Sequence, residues 1–263
     1  MTDMKLLMND LVTANHILAN ENVLDSFGHV SVRHPEKPGH FVMSRARAPQ
    51  RCELHDLMEF TLDGRVIGPN PHPGKPYSER FIHGALYESR PEVMAVVHNH
   101  SISTIPFGVV KGAKLRPLMH MAGPIGDDIN VWDSATKFGD TNLLVTSMDM
   151  ARDMAKTVGK RRVSLLRGHG CVVTGESLRE VVFTSIYLEI NANIQMKAQS
   201  LVAMSIGNEV QFLSKGEVDI ISKGRAGFTF ERGWENWCGR VERPYYPQAM
   251  EMGAGFSKTD PSG

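Results

Sequence analysis

His98 and His100 stand two residues apart in the run Val96-Val97-His98-Asn99-His100-Ser101. At the end of a strand, side chains at i and i+2 share a face roughly 6.5–7 Å apart along it, so both imidazoles can reach one ion. His169 lies between Gly168 and Gly170, whose freedom lets a strand-to-strand turn bend sharply and carry the ring to another element. Three imidazoles with a position left open make up the ligand set of a catalytic rather than a structural metal. Glu79, at a helix start upstream of the His-x-His strand, is either a fourth ligand or the acid/base beside the ion. A single His-x-His occurs often by chance, and a lone turn histidine can cap a carbonyl. All three rings fall at strand ends, and on spacing alone a shared metal and unrelated histidines both stay open.

Further residues could handle substrate. Ser44-Arg45-Ala46-Arg47 puts Arg45 and Arg47 on one face if the preceding strand continues, and guanidinium forks match carboxylates bidentately. His83 lies four residues after Glu79 on one helix face, in a supporting or capping position. His120, in a Pro-rich stretch, is a second candidate for proton handling after Glu79. His16, His34, His40, His55 and His72 read as surface histidines. Arg161-Arg162 reads as a solvated helix end and Cys171 as a small apolar strand residue. Trp234 and Trp237 either anchor the C-terminal tail on its own core or cover a neighbouring subunit's site.

Regular elements must hold these groups. Leu7, Leu11, Ala14, Leu18 and Ala19 recur at helical spacing toward Asp25, and Ser26-Phe27-Gly28 is a turn. Strands are expected at Val30–Arg33, Phe41–Ser44, Val93–Val97, Val163–Leu166 and Cys171–Thr174. A hairpin is expected around Asp63-Gly64, within Asp56–Ile67. Ser78 offers an N-cap for a helix through Ser89, stopped by Pro91. Short and longer helices follow at Ser103–Val109 and Ala151–Val158, and Ser177 with Glu180 forms a capping box for a helix to about Met204. The tail from about residue 224 shows no period and reads as irregular. Helices interleaved with strands and hairpins give an α/β class with a mixed, three-layered sheet in one domain over residues 1–263. The Pro/Gly-rich Gly68–Pro76 reads as a loop over that domain.

Lysine and arginine number 29 and so do aspartate and glutamate, so the net charge is zero and no basic excess exists for nucleic acid. Hydrophobic residues at 41% and charged residues at 22% exclude a disordered chain. Three scattered cysteines, no apolar leader and no apolar run of about 18 residues set the expectation of a cytoplasmic protein without disulfides.

Ser78-Glu79, Val96–Ser101 and Leu165-Leu166-Arg167-Gly168-His169-Gly170, in this order and separation, resemble the class II aldolase/adducin family. Gly28–Arg33 is similar to that family's Gly-Asn-Val-Ser element, and Leu178–Glu189 resembles the helix after its metal turn. The resemblance spans roughly residues 5–205. It implies a three-layer α/β/α fold with a mostly antiparallel sheet, and a divalent metal, Mn²⁺ or Zn²⁺, on His98, His100 and His169 with Glu79. It further implies a homotetramer with sites between subunits. The family's sugar-phosphate aldolases cradle phosphate with an Asn, a Gly-containing turn and paired serines, where this chain has His29, Ser44-Arg45 and Tyr77-Ser78. Their proton-donating tyrosine is expected near His120-Met121, where no tyrosine stands. These departures resemble the branch that decarboxylates aromatic hydroxy-acids. Its expected substrate here is 3-hydroxy-2-methylpyridine-4,5-dicarboxylate of vitamin B6 breakdown, bound through His29, Ser44, Arg45, Arg47 and Ser78. A sugar-phosphate aldolase or epimerase is the alternative, and a non-catalytic adducin-like module fits poorly because all three histidines are kept.

Overall fold

A computed structural model describes residues 3–68, 74–204, 207–223 and 228–247. Strands β1 (His29–Arg33), β2 (His40–Ser44), β3 (Leu57–Thr61), β4 (Ala95–Asn99), β5 (Asn130–Trp132), β6 (Val163–Leu166) and β7 (Gly170–Gly175) form one sheet in the order β3-β2-β1-β4-β7-β6-β5. Neighbours are antiparallel except β5 and β6. The helices are α1 (Met4–Asn20), α2 (Arg80–Ser89), α3 (Ile105–Val109), α4 (Ala135–Phe138), α5 (Met148–Val158), α6 (Leu178–Ala203), α7 (Lys215–Lys223) and α8 (Phe228–Arg240).

The sheet is covered on both faces, because alternate strand residues feed two separate cores. Val30, Val32, Ala95, Val97 and Val173 pack with Leu11 and Leu18 of α1, Val182 and Ile186 of α6, and Trp234 and Trp237 of α8. Phe41, Met43, Val96 and Val172 point the other way, to Ile82, Leu86 and Tyr87 of α2 and Met154 and Val158 of α5. All five residues of β1 and of β4 are buried as a result. This is the expected three-layer α/β/α fold. No helix among the described residues is long and apolar enough to cross a membrane.

Several local expectations are corrected. Helix α1 stops at Asn20, and Asn22 takes a left-handed turn at φ 58°. Asp25 therefore sits in the next turn, where its Oδ1 accepts the N–H groups of Phe27 (2.9 Å) and Gly28 (2.8 Å). The second arm of the hairpin shrinks to one bridge, Phe60 to Val66. Ser78 is exposed and does not cap α2; Glu79 occupies that position, and its carboxylate is used elsewhere. The Ser177 Oγ accepts the Glu180 N–H at 3.1 Å, but Glu180 Oε2 reaches back to the N–H of Glu176 rather than of Ser177.

The tail expected to be irregular contains helix α8. It docks because Trp234 is fully buried and because Glu231 pairs with Arg179, which also faces Asp10 at 3.4 Å. Arg179 further donates to the Tyr246 carbonyl at 2.8 Å, which favours the anchoring role for the tryptophans. Arg161 and Arg162 are not merely solvated: they pair with Asp128 (2.6 Å) and Glu180 (3.1 Å). His34 is buried and accepts the N–H groups of Glu36 and Lys37 at 3.2 Å each. His16 meets the Cys52 carbonyl at 2.8 Å and His40 meets Glu59 Oε1 at 2.5 Å. His72 and residues 69–73 of the Pro/Gly loop lie outside the described residues.

Candidate metal centre

Glu79, His98, His100 and His169 each bring one ligand atom to a common point, all within 4.8 Å of one another. The Nε2 atoms of His100 and His169 are 3.1 Å apart, with their rings stacked at 24°. Glu79 Oε2 lies 3.6 Å from Nε2 of both His98 and His169. Metal bonds of about 2.0–2.1 Å place neighbouring ligand atoms roughly 3–3.4 Å apart, so this spacing is that of donors sharing one ion. His98 Nε2 is buried with no hydrogen-bond partner, which a buried polar atom tolerates poorly unless something else fills the role. The donor set fits a divalent cation.

Two of the rings are aimed by a partner behind them. His98 Nδ1 donates to the Cys171 carbonyl at 3.1 Å, across the β4–β7 pair, which leaves the Nε2 lone pair facing the cluster. His100 Nδ1 donates to the Asp25 carboxylate at 3.1 and 3.2 Å. His169 enters from the β6–β7 turn, where Gly168 takes φ +66°. A Cβ on Gly170 would lie 2.0 Å from the Asn99 carbonyl oxygen, so only glycine lets β7 approach β4 this closely. Glu79 Oε1 is fixed by the N–H of Val145 at 2.8 Å. That contact comes from a loop in which Leu143 holds a left-handed φ of 66°, a conformation that costs a leucine of order 1 kcal/mol.

Burial dominates the electrostatics. It pushes His98 well below the ordinary imidazole range, aided by the neighbouring His169, and pushes His169 down to about 4. Burial also raises the Glu79 carboxyl, against the lowering effect of the Val145 N–H. Burial alone would raise Asp25 too, but the N–H groups of Phe27 and Gly28 together with His100 hold it below the usual carboxylate range. His98 and His169 are thus neutral bases near neutral pH, suited to metal ligation, while Asp25 stays an anion.

The substrate candidates are placed less uniformly. His29 is buried, and its ring lies 5.1 Å from His98 and 4.5 Å from Tyr77, at the edge of the cluster. Strand β2 ends at Ser44, so Arg45 and Arg47 do not continue it. Both turn onto Asp56, Arg45 Nε at 2.7 Å and Arg47 Nη1 at 2.9 Å. Asp56 is fully buried, and despite that burial the Glu53 N–H and the two arginines hold its carboxyl below the usual range. The trio keeps one net positive charge. Tyr77 O–H donates to the Arg47 carbonyl, tying this corner to the turn before α2. Ser44 is buried beside Cys52 and Tyr77, and Ser78 is exposed.

His120 is not brought to the cluster. It opens a short 3₁₀ turn (His120–Ile125) and lines a separate cavity of about 750 Å³ with Phe183, Tyr187, Ile221 and Trp237. Sequence reasoning passed over Asp25 and Asp56. The Asp-x-x-Gly spacing of Asp25 and Gly28, a turn signal, was the cue to the first; nothing local marked the second.

The chain belongs to the class II aldolase/adducin family: the Class II Aldolase and Adducin N-terminal domain matches residues 9–196. It is 33% identical over 252 residues to decarboxylase tropJ of Talaromyces stipitatus, covering 88% of this chain and 92% of that protein. It is 25% identical over 240 residues to a 3,4-dihydroxyphthalate decarboxylase of Arthrobacter keyseri, with the same shares covered. Its fold matches the L-fuculose 1-phosphate aldolase of Glaciozyma antarctica PI12 with a TM-score of 0.72 at 22% identity, over 91% of this chain and 92% of that one.

Proposed function

We propose that this chain is a divalent-metal-dependent carbon–carbon lyase that decarboxylates an aromatic ortho-hydroxy carboxylic acid, a dicarboxylate above all. The observation that carries this reading is the convergence of three imidazole Nε2 atoms and Glu79 Oε2, with the His29 ring beside His98. The near full-length likeness to named decarboxylases supports it.

Breaking the bond between an aromatic ring and its carboxylate leaves an electron pair on the ring carbon. With the ortho oxygen as its anion, a proton delivered to that carbon first gives the keto form; CO₂ then departs, and the pair from the broken bond restores the aromatic ring as its phenolate. A divalent ion, Mn²⁺ or Zn²⁺, held by His98, His100 and His169 would supply the Lewis acidity that eases this charge build-up. In this reading Glu79 delivers that proton, which is supported by Val145 holding Oε1 while Oε2 faces the cluster. His29 and the Arg45/Arg47 pair orient the substrate through its carboxylates, which sets the bond to be broken. Ser44 and Ser78 complete that rim as weaker contacts.

Phe27 and Ile102 flank Asp25 and His100 and are 72% and 83% exposed. Large apolar side chains beside a catalytic centre suit burial by a neighbouring subunit, and we assign the enzyme as a cytoplasmic homotetramer. The test is metal analysis of the purified protein with a CO₂-release screen of hydroxylated benzene and pyridine dicarboxylates. The panel includes 3,4-dihydroxyphthalate and 3-hydroxy-2-methylpyridine-4,5-dicarboxylate. CO₂ release that stops on chelation and returns with Mn²⁺ or Zn²⁺ is expected. Cleavage of L-fuculose 1-phosphate with no CO₂ from any aromatic acid would instead identify an aldolase.

A further inference from the structure

Two arms of the metal cluster, Glu79 before α2 and His169 in the β6–β7 turn, are touched by one loop, residues 139–147 between α4 and α5. Its contact with Glu79 is a main-chain one. The Val145 N–H donates to Oε1 at 2.8 Å, the only hydrogen bond that the Glu79 carboxylate accepts among the described residues. Val145 itself is fully buried in one core with Trp132, Ala151 and Met154, so its N–H is held in place from behind. The contact with the His169 turn is one of packing. A Cβ on Gly168 would stand 3.4 Å from Leu143 Cδ1, so the leucine lies over that turn.

The loop is braced so that this N–H points out of it. Thr141 Oγ1 accepts the Leu143 N–H at 3.1 Å and pairs with Ser134 Oγ at 3.1 Å. Asn142 Oδ1 accepts the Leu144 N–H at 3.1 Å. Two successive N–H groups are thus met inside the loop by local side chains, and the next one, of Val145, is given to Glu79. Leu143 holds its φ of 66° in the middle of this series. A left-handed leucine persists only where its surroundings over-determine it, and such residues gather at functional sites. Here a hydroxyl, an amide and a buried valine do so together.

An unrestrained glutamate can hold a cation through one oxygen or through both. At Glu79, Oε1 is engaged by Val145, and Oε2 alone stands 3.6 Å from the Nε2 atoms of His98 and His169. Three imidazoles and one carboxylate oxygen make a set of four donors. That set suits Zn²⁺, which settles for four nitrogen, sulfur or oxygen ligands, better than Mn²⁺, which favours oxygen and takes more of it. We infer that the loop of residues 139–147 sets the metal preference of the site: by engaging Oε1 it confines Glu79 to a single oxygen and so favours Zn²⁺ over Mn²⁺. Thr141, Leu143 and Val145 are positioning residues that act through Glu79. The inference concerns the site without substrate; it rests on the metal reading above and not on the reaction assigned to it.

Chelator-competition titrations of the metal-stripped, full-length protein with Zn²⁺ and with Mn²⁺ test it. Thr141→Val keeps the shape of the side chain but removes the oxygen on which the Leu143 N–H rests. Glu79 then loses its preset position, and Zn²⁺ affinity should fall about 10–100-fold, the range for a lost partner behind a ligand. Mn²⁺ gains the second oxygen in return, so its affinity should change less than about threefold and the preference should narrow. Thr141→Ser, which keeps the hydroxyl, should bind both ions as the wild type does. Leu143→Gly frees the middle of the loop and should narrow the preference in the same way; it serves if Thr141→Val does not fold. An equal loss for both ions would make the loop a structural brace only, and unchanged affinities would detach it from the site; either result overturns the inference. Wild-type protein that binds neither ion would refute the metal reading, and the inference with it. A protein with the expected shift that releases CO₂ from no acid would retire the proposed reaction and leave the inference standing.

Discussion

Asp25 Oδ2 lies 3.1 Å from Nδ1 of His100, although the two residues are separated by 75 positions in the chain. The early stop of α1 makes this contact, because a helix continued to residue 25 would have used that turn. A carboxylate behind a ligating imidazole fixes the tautomer and raises the basicity of the other nitrogen. Asp25→Ala is therefore expected to weaken divalent-metal binding about 10–100-fold in chelator competition. Asp25→Asn, which keeps an oxygen acceptor, should lose less. Wild-type affinity in Asp25→Ala would show that the contact does not tune the site.

His98 is the most enclosed ring of the cluster, at 0% exposure, with an Nε2 atom that has no hydrogen-bond partner among the described residues. His98→Ala should abolish stoichiometric metal binding in elemental analysis and reduce CO₂ release at least about 10³-fold. Full turnover in metal-stripped His98→Ala protein would refute a metal mechanism.

Arg47 shares Asp56 with Arg45, so its charge is only partly free for substrate. A charge-assisted hydrogen bond is worth about 1.5–3 kcal/mol, so Arg47→Ala should raise KM for a dicarboxylate roughly 10–100-fold. A monocarboxylate analogue should change less than about threefold if Arg47 reads the second carboxylate. Equal shifts for both would leave Arg47 a partner of Asp56 alone.

Burial lifts the Asp10 carboxyl from 3.8 to about 6, outweighing the lowering effect of Arg179. The native chain thus keeps a proton that the unfolded chain releases between pH about 4 and 6. The stability from this group is fully present below the lower value and declines as pH rises to the upper one. Asp10→Asn carries no such proton, so its Tm relative to wild type should climb between pH 4 and 6.5 in calorimetry. A constant difference across that range would mean that Asp10 titrates normally.

The candidate metal ligands are legible because the features that mark them are local. His98 and His100 share a strand face, and His169 sits in a glycine turn whose sharpness its neighbours spell out. What supports them was hidden in proportion to its separation in sequence. Asp25, Cys171 and Val145 reach the cluster only once β4, β7 and the loop after α4 are assembled. Arg45 and Arg47 looked like a free pair because alternation was extended past Ser44, and the buried Asp56 that turns them aside carried no pattern of its own. Helix α8 escaped notice because its inner face combines Trp234 and Trp237 with Glu231. That glutamate is buried only because Arg179 meets it.

His29 and His98 are directly opposed residues in the β1–β4 ladder. The group proposed to meet the substrate and a group proposed to hold the ion are thus indexed to each other by main-chain hydrogen bonds rather than by loops. Slipping β1 by one residue would turn His29, Ser31 and Arg33 together to the α1 side and put Val30 and Val32 in their place. Loops tolerate insertions far more readily than two paired, buried strands such as these. Evolution of new substrates on this scaffold is thereby channelled into exchanging side chains at fixed addresses.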